Sequence, residues 1–172
     1  MRPVLVFVAV MACMAPARAE VTVAGPGGFT VTESFHTTAS PMKVWAALVV
    51  PSRWWDSEHS WSGNAANLSL DAKAGGCWCE TLPGGGSAQH MTVEFVDPGK
   101  TLRVRGALGP LGTLAVTGVM GIIIAPDGAG ATVTLSYQVG GFTPVNLETV
   151  APDVDTVLSA QMTRLKAVAE SV

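Results

Sequence analysis

Apolar and polar residues alternate along four segments of the chain, and this alternation limits the fold more than any other feature. The segments are 29–37, 90–96, 101–107 and 131–139. Strict alternation is typical of strands that bury one face and leave the other in water. Turn sequences rich in glycine and proline lie at 83–86, 97–100 and 126–130. The sequence therefore predicts an antiparallel sheet whose strands are joined as hairpins.

The last twenty residues have helical rather than strand periodicity. Their apolar positions form one stripe, made of Val154, Val157, Leu158, Met162, Leu165 and Val168. We expect a long helix over 152–170 that covers the apolar face of the sheet. A short helix is predicted over 41–49, with Ser40 as its N-cap and Pro51 beyond its end.

The N-terminus has the pattern of a secretory signal peptide over residues 1–19. Arg2 precedes an apolar run at 4–15 that is too short to cross a bilayer, and Ala17-Arg18-Ala19 suits cleavage before Glu20. An alternative is a lipoprotein box ending at Cys13. With cleavage at Ala19 we expect an exported protein, periplasmic or secreted, with a short N-terminal extension at 20–28 and one domain at 29–170. Lipidation at Cys13 would instead anchor the protein to a membrane surface.

The charge of the chain argues against nucleic acid as a partner. The sequence has 10 basic and 13 acidic residues, and the predicted cleavage removes Arg2 and Arg18. Phosphate binding requires clustered Lys and Arg, and no such cluster is left. The apolar run at 114–125 is too short for a membrane helix, so we expect no stable membrane insertion of the mature chain. The oligomeric state stays open.

Three of the five tryptophans fall within the segment WWDSEHSW at 54–61. Trp54, Trp55 and Trp61 either fill the core or contact a ligand. The charged residues between them are interspersed with serines and are expected to lie in a solvated loop.

Cys77 and Cys79 are the cysteines left after the predicted cleavage. Residues i and i+2 of a regular strand lie about 6.6 Å apart, near the upper limit for a disulfide. We therefore expect free thiols that face the interior, with an intrachain disulfide as the alternative. Zinc would need further ligands such as His59 and His90. The strand register places His90 opposite Glu80 and away from the thiols, so we expect no metal and no cofactor.

Glu33 and Tyr137 are the candidate catalytic residues. Glu33 interrupts an apolar strand face, where burial would raise its pKa and suit acid–base chemistry. The alternative is an edge position that reaches water. Tyr137 is the sole tyrosine and points inward, either as a polar anchor for a ligand or as a hydrogen-bonded core residue.

Four motifs together resemble the START/SRPBCC superfamily. They are SPMKVWAALVVPSRWW at 40–55, SLDAKAGGCWCE at 69–80, GALGPL at 106–111 and VDTVLSAQMTRLK at 154–166. This superfamily includes the birch-pollen allergen, polyketide cyclase/dehydrase-like proteins and heat-shock ATPase activators. The resemblance implies an α+β helix-grip fold. In it, a curved antiparallel sheet of about six to seven strands wraps a long C-terminal helix, with two short helices after the first strand.

The resemblance also implies a cavity between the sheet and the long helix. We expect its ligand-binding residues to be Phe35, Trp54, Trp55, Trp61, Cys77, Cys79, Phe95, Leu135, Tyr137, Leu158 and Met162. The function expected first is binding of a small hydrophobic molecule. The alternatives are a cyclase, dehydratase or hydrolase that uses Glu33, Tyr137 or the thiols, and a protein-interaction module like the heat-shock ATPase activators.

Overall fold

The computed structural model describes residues 19–172. The predicted signal peptide, apart from Ala19, and the alternative lipid-attachment residue Cys13 lie outside the described residues. None of the helices within 19–172 is long and apolar enough to cross a membrane.

The described residues form one antiparallel sheet of eight strands around a long helix. In chain order the strands are β1 Ala19–Gly25, β2 Gly28–Thr37, β3 Leu68–Leu70, β4 Cys77–Thr81, β5 Ser87–Asp97, β6 Thr101–Gly106, β7 Val116–Asp127 and β8 Gly130–Gly141. Their spatial order is β1-β2-β8-β7-β6-β5-β4-β3. The sheet has more strands than expected, because most of the segment read as an N-terminal extension forms β1 and the three-residue β3 adds an edge.

Two α-helices are present in the described residues, α1 at Pro41–Leu48 and α2 at Ala151–Ser171. The expected second short helix after the first strand is not formed. Three 3₁₀ turns, at Pro51–Arg53, Ser57–His59 and Ala65–Asn67, occupy that region. The Asp56 and Asn64 side chains accept hydrogen bonds from the backbone two residues on, which favours turns over a continuous helix.

The core lies between α2 and the concave face of the sheet. Leu158, Met162 and Leu165 of α2 are buried in one cluster with the inward-facing residues of the sheet. Phe35 and Leu135, expected to line a cavity, are core residues of this cluster. The predicted cover of the sheet by the C-terminal helix is therefore confirmed.

Two bulges in β5 change which side chains face inward. The registers shift between Trp78 and Cys79 on the β4 side and between Val93 and Phe95 on the β6 side. A single extra residue moves the following side chains to the opposite face of the sheet. The expectation that Phe95 faces the cavity is wrong, because Phe95 is 44% exposed and lies on the outer face under the guanidinium of Arg103.

Candidate functional site

A pocket of about 690 Å³ opens at the N-terminal end of α2. It is bounded by the tryptophan-rich loop, by the segment between β6 and β7, and by the first two turns of α2. The apolar lining residues are Trp55, Trp61, Leu108, Pro110, Leu111, Leu114, Val145, Val150, Val154, Val157 and Leu158. The volume is in the ordinary range for small-molecule sites.

Three of the residues expected to bind a ligand line this pocket, namely Trp55, Trp61 and Leu158. Trp61 is 53% exposed and stands at the rim. The other expected ligand residues lie elsewhere. Phe35, Leu135, Tyr137 and Met162 are packed in the core, and the lining does not include them.

The remaining tryptophan of the loop is part of a buried aromatic cluster. Trp54 packs edge-to-face against Trp55 at 5.5 Å and against Trp78 at 6.0 Å between ring centroids. Its indole N–H donates to the Leu48 carbonyl at 3.3 Å. Of the two alternatives, Trp54 therefore fills the core, and it does not line the pocket as expected of a ligand-binding residue. Trp55 belongs to both the cluster and the pocket wall, so the core holds this wall in place.

Tyr137 anchors the loop opposite the tryptophans. Its hydroxyl accepts from the Leu108 backbone N–H at 3.2 Å and donates to the Gly106 carbonyl at 3.3 Å. Burial raises the pKa of Tyr137 to about 12. Tyr137 is fully buried and its hydroxyl is taken up by the backbone. Of the two alternatives, Tyr137 is therefore a hydrogen-bonded core residue. It does not line the pocket as a catalytic group would.

A histidine and a buried glutamate form the polar end of the pocket. His90 lines the pocket, and its Nε2 lies 2.9 Å from Oε2 of Glu80, whose side chain is 0% exposed. The backbone N–H of Trp61 donates to Oε2 of Glu80 at 3.1 Å and that of Ser62 to Oε1 at 2.6 Å. Burial alone would raise the pKa of Glu80, but hydrogen bonds from Ser62, Trp61 and His90 outweigh it and hold the pKa below its ordinary value.

Polar contacts from α2 fix the tryptophan-rich loop. The side-chain oxygen of Gln161, a buried residue, accepts from the Asp56 backbone N–H at 2.8 Å. The guanidinium of Arg164 donates to the Asp56 carboxylate. Asp56 is therefore held by α2 and is not a free loop residue as expected.

Residues 28–170 match the model of the polyketide cyclase / dehydrase and lipid transport family. The chain belongs to this family. The predicted resemblance to the START/SRPBCC superfamily is thereby confirmed. No curated protein is significantly similar to the chain.

Solved structures share the fold of this polyketide cyclase / dehydrase family member at low sequence identity. An uncharacterized protein from Rhizobium leguminosarum is 16% identical with a TM-score of 0.61, over 92% of this chain and 100% of that chain. Ara h 8.0201 is 15% identical with a TM-score of 0.59, over 85% and 100%. The Aha1 dimer from Colwellia psychrerythraea is 16% identical with a TM-score of 0.58, over 82% and 96%. These similarities show the helix-grip fold.

The buried carboxylate of this family member is not part of the pocket lining. Glu33 is 2% exposed on β2 and faces Asp155 and Ser159 of α2. Burial, with a smaller contribution from Asp155, raises the pKa of Glu33 to about 7. Within residues 19–172, Oε1 of Glu33 and Oδ1 of Asp155 have no hydrogen-bond partner. Of the two alternatives, Glu33 is therefore the buried carboxylate, but it is absent from the pocket where it would meet a ligand.

Cys77 and Cys79 form a disulfide with a Cα–Cα distance of 5.3 Å. The expectation of inward-facing free thiols is wrong. The Cα–Cα distance is within the ordinary range for a disulfide, and Trp78 between the two cysteines takes the inward position. The cysteines do not line the pocket. In the part of the chain that the structure describes, no group of three or more His, Cys, Asp or Glu residues is arranged to hold a metal ion.

Proposed function

We propose that this protein binds a small, mainly apolar molecule in the pocket between the tryptophan-rich loop, the segment 108–114 and the start of α2. The pocket itself is the observation that supports the proposal. Its volume of about 690 Å³ suits a molecule the size of a drug or a short lipid, and most of its wall is apolar. The family description, which includes lipid transport, agrees with such a ligand.

The proposed site lies at the N-terminal end of α2 and not between the centre of α2 and the sheet. Beneath the centre of α2 the space is filled by core residues such as Phe35, Leu135 and Met162. At the N-terminal end of α2 the wall is supplied by two loops instead. The Tyr137 hydroxyl holds one loop and Gln161 holds the other. A pocket with walls so anchored binds without having to order its own loops, which reduces the cost of binding.

Replacing Val157 with a larger residue should test the pocket. Val157 lines the pocket and is only partly buried, so Val157→Trp should place an indole in the pocket without overpacking the core. We expect 2-methoxynaphthalene to quench tryptophan fluorescence of the wild type and to raise its melting temperature by mass action. Val157→Trp should weaken this binding by roughly tenfold or more, a change of about 1.4 kcal/mol. Isothermal titration calorimetry would measure the affinity.

Ala160→Trp is the matched control, because Ala160 is on the exposed side of α2 and outside the lining. This variant should bind 2-methoxynaphthalene like the wild type. The proposal fails if the wild type binds no apolar probe up to its solubility limit, or if both tryptophan variants bind as well as the wild type.

We also propose that the protein acts after export, in the periplasm or outside the cell. The signal-peptide pattern at 1–19 and the Cys77–Cys79 disulfide support this, because disulfides persist in oxidising compartments. N-terminal sequencing of protein recovered from its native compartment should start at Glu20. A lipid-modified Cys13 at the N-terminus would contradict cleavage at Ala19 and indicate a lipoprotein.

A further inference from the structure

We infer that the pocket selects an apolar ligand that carries a neutral hydroxyl donor, such as a phenol or an enol, and that Nδ1 of His90 accepts its hydrogen bond. This inference rests on the proposed binding function and adds the chemical class of the ligand. It follows from three features of the polar end of the pocket: the state of Glu80, the orientation of His90 and the charge of the rim.

Glu80 determines which nitrogen of His90 carries the proton. Three donors converge on its buried carboxylate, namely the backbone N–H groups of Trp61 and Ser62 and the His90 ring. These donors keep the pKa of Glu80 low, so the group is ionised at neutral pH and can only accept. The proton of a neutral His90 must therefore be on Nε2, and Nδ1 is left as an acceptor.

The other nitrogen of His90 is free, and His90 belongs to the pocket wall. Among residues 19–172, Nδ1 forms no hydrogen bond, yet it is not one of the buried polar atoms that lack a partner. It is thus open to solvent although the His90 side chain is only 8% exposed. These observations support the inferred contact between Nδ1 and a bound ligand.

The rim favours a neutral ligand over an anionic one. Its ionisable lining residues are Glu58, His59, His90 and Asp153, and the lining contains no lysine or arginine. A carboxylate or phosphate ligand would be repelled by Glu58 and Asp153. A neutral hydroxyl avoids this repulsion and donates directly to an sp² nitrogen. An ether or a hydrocarbon of the same shape would leave Nδ1 without a partner and lose that hydrogen bond.

The matched probes 2-naphthol and 2-methoxynaphthalene share the naphthalene ring and its oxygen, and the second has a methyl group in place of the hydroxyl proton. We expect the wild type to bind 2-naphthol roughly tenfold more tightly at pH 7.5, the size of one good hydrogen bond. His90→Lys is the test variant, because a lysine ammonium can still donate to Glu80 and has no acceptor to offer the ligand hydroxyl. It should bind both probes equally and bind 2-methoxynaphthalene as well as the wild type does.

The outcomes separate this inference from the proposed function. If neither probe binds the wild type, the binding function itself is wrong. If both bind the wild type equally, or if His90→Lys keeps the preference for 2-naphthol, the function stands and the role of His90 is wrong. Histidine ¹⁵N NMR of the wild type gives a test that needs no variant. We expect an unprotonated Nδ1 on His90 whose shift changes with 2-naphthol and not with 2-methoxynaphthalene; a protonated Nδ1 without ligand would overturn the inference.

Discussion

Replacing Glu80 with alanine should lower the free energy of unfolding by about 3–5 kcal/mol, because three donors lose a charged acceptor and each buried group left without a partner costs about 1–3 kcal/mol. The Glu80 side chain is 0% exposed, and three donors lose their acceptor together: the backbone N–H groups of Trp61 and Ser62, and the His90 ring. Water would have to enter a buried site to replace it. Urea unfolding followed by tryptophan fluorescence would measure the loss.

The effect should extend to the pocket, because Glu80 connects β4, β5 and the tryptophan-rich loop. Without it, Trp61 is no longer tied to the sheet and His90 loses the partner that sets its tautomer. Where Glu80→Ala still folds, its preference for 2-naphthol should therefore be lost. Glu80→Gln keeps one acceptor oxygen and should cost less than the alanine variant.

A glutamate on the outside of the sheet provides the comparison. Glu94 pairs with Arg105 and Arg103 on the solvent side of β5 and β6. Exposed ion pairs contribute little, so Glu94→Ala should leave the unfolding curve nearly unchanged. If the Glu80→Ala and Glu94→Ala variants were equally stable, the hydrogen bonds to Glu80 would not stabilise the fold.

The sequence predicts the fold well because the fold depends on patterns repeated over many residues. Alternation fixes the buried face of β2, β6 and β8, and the apolar stripe of α2 fixes which side meets the sheet. Errors arise where a single residue breaks the period. His90 and Glu94 are the extra residues in β5. With them, Phe95 faces outward, and Trp78 faces inward instead of the neighbouring cysteines. No alternation rule can locate such a bulge in advance.

The candidate site could be predicted only in part for the same reason. Trp55, Trp61 and Leu158 line the pocket, where the resemblance placed them. The Glu80–His90 pair was visible as a cross-strand neighbour in the sequence. Its importance depends on the bulge that turns His90 inward and on the loop that closes over Glu80. Both are tertiary features that local sequence does not specify.

Glu33→Gln should stabilise the protein at high pH by about 2–3 kcal/mol and have little effect at low pH. The pKa of Glu33 is about 7 in the folded protein against an ordinary value of 4.5, since burial and Asp155 disfavour its charged form. Below pH 4.5 the Glu33 carboxyl is protonated in both the folded and the unfolded protein and does not lower the free energy of unfolding. Between pH 4.5 and 7 the unfolded chain releases the proton first, so wild-type stability falls as pH rises and levels off above pH 7.

Unfolding curves from pH 4.5 to 8.5 would show this as a difference between variant and wild type that grows with pH. Burial also raises the pKa of Asp155. The stability of Glu33→Gln should therefore still fall with rising pH, but less steeply than that of the wild type. Glu148→Gln, an exposed substitution, should not change the profile. Because Glu33 lies outside the pocket lining, its variant should also bind 2-naphthol normally. A pH-independent difference would mean that Glu33 is ionised in the fold, and lost binding would place Glu33 in the site after all.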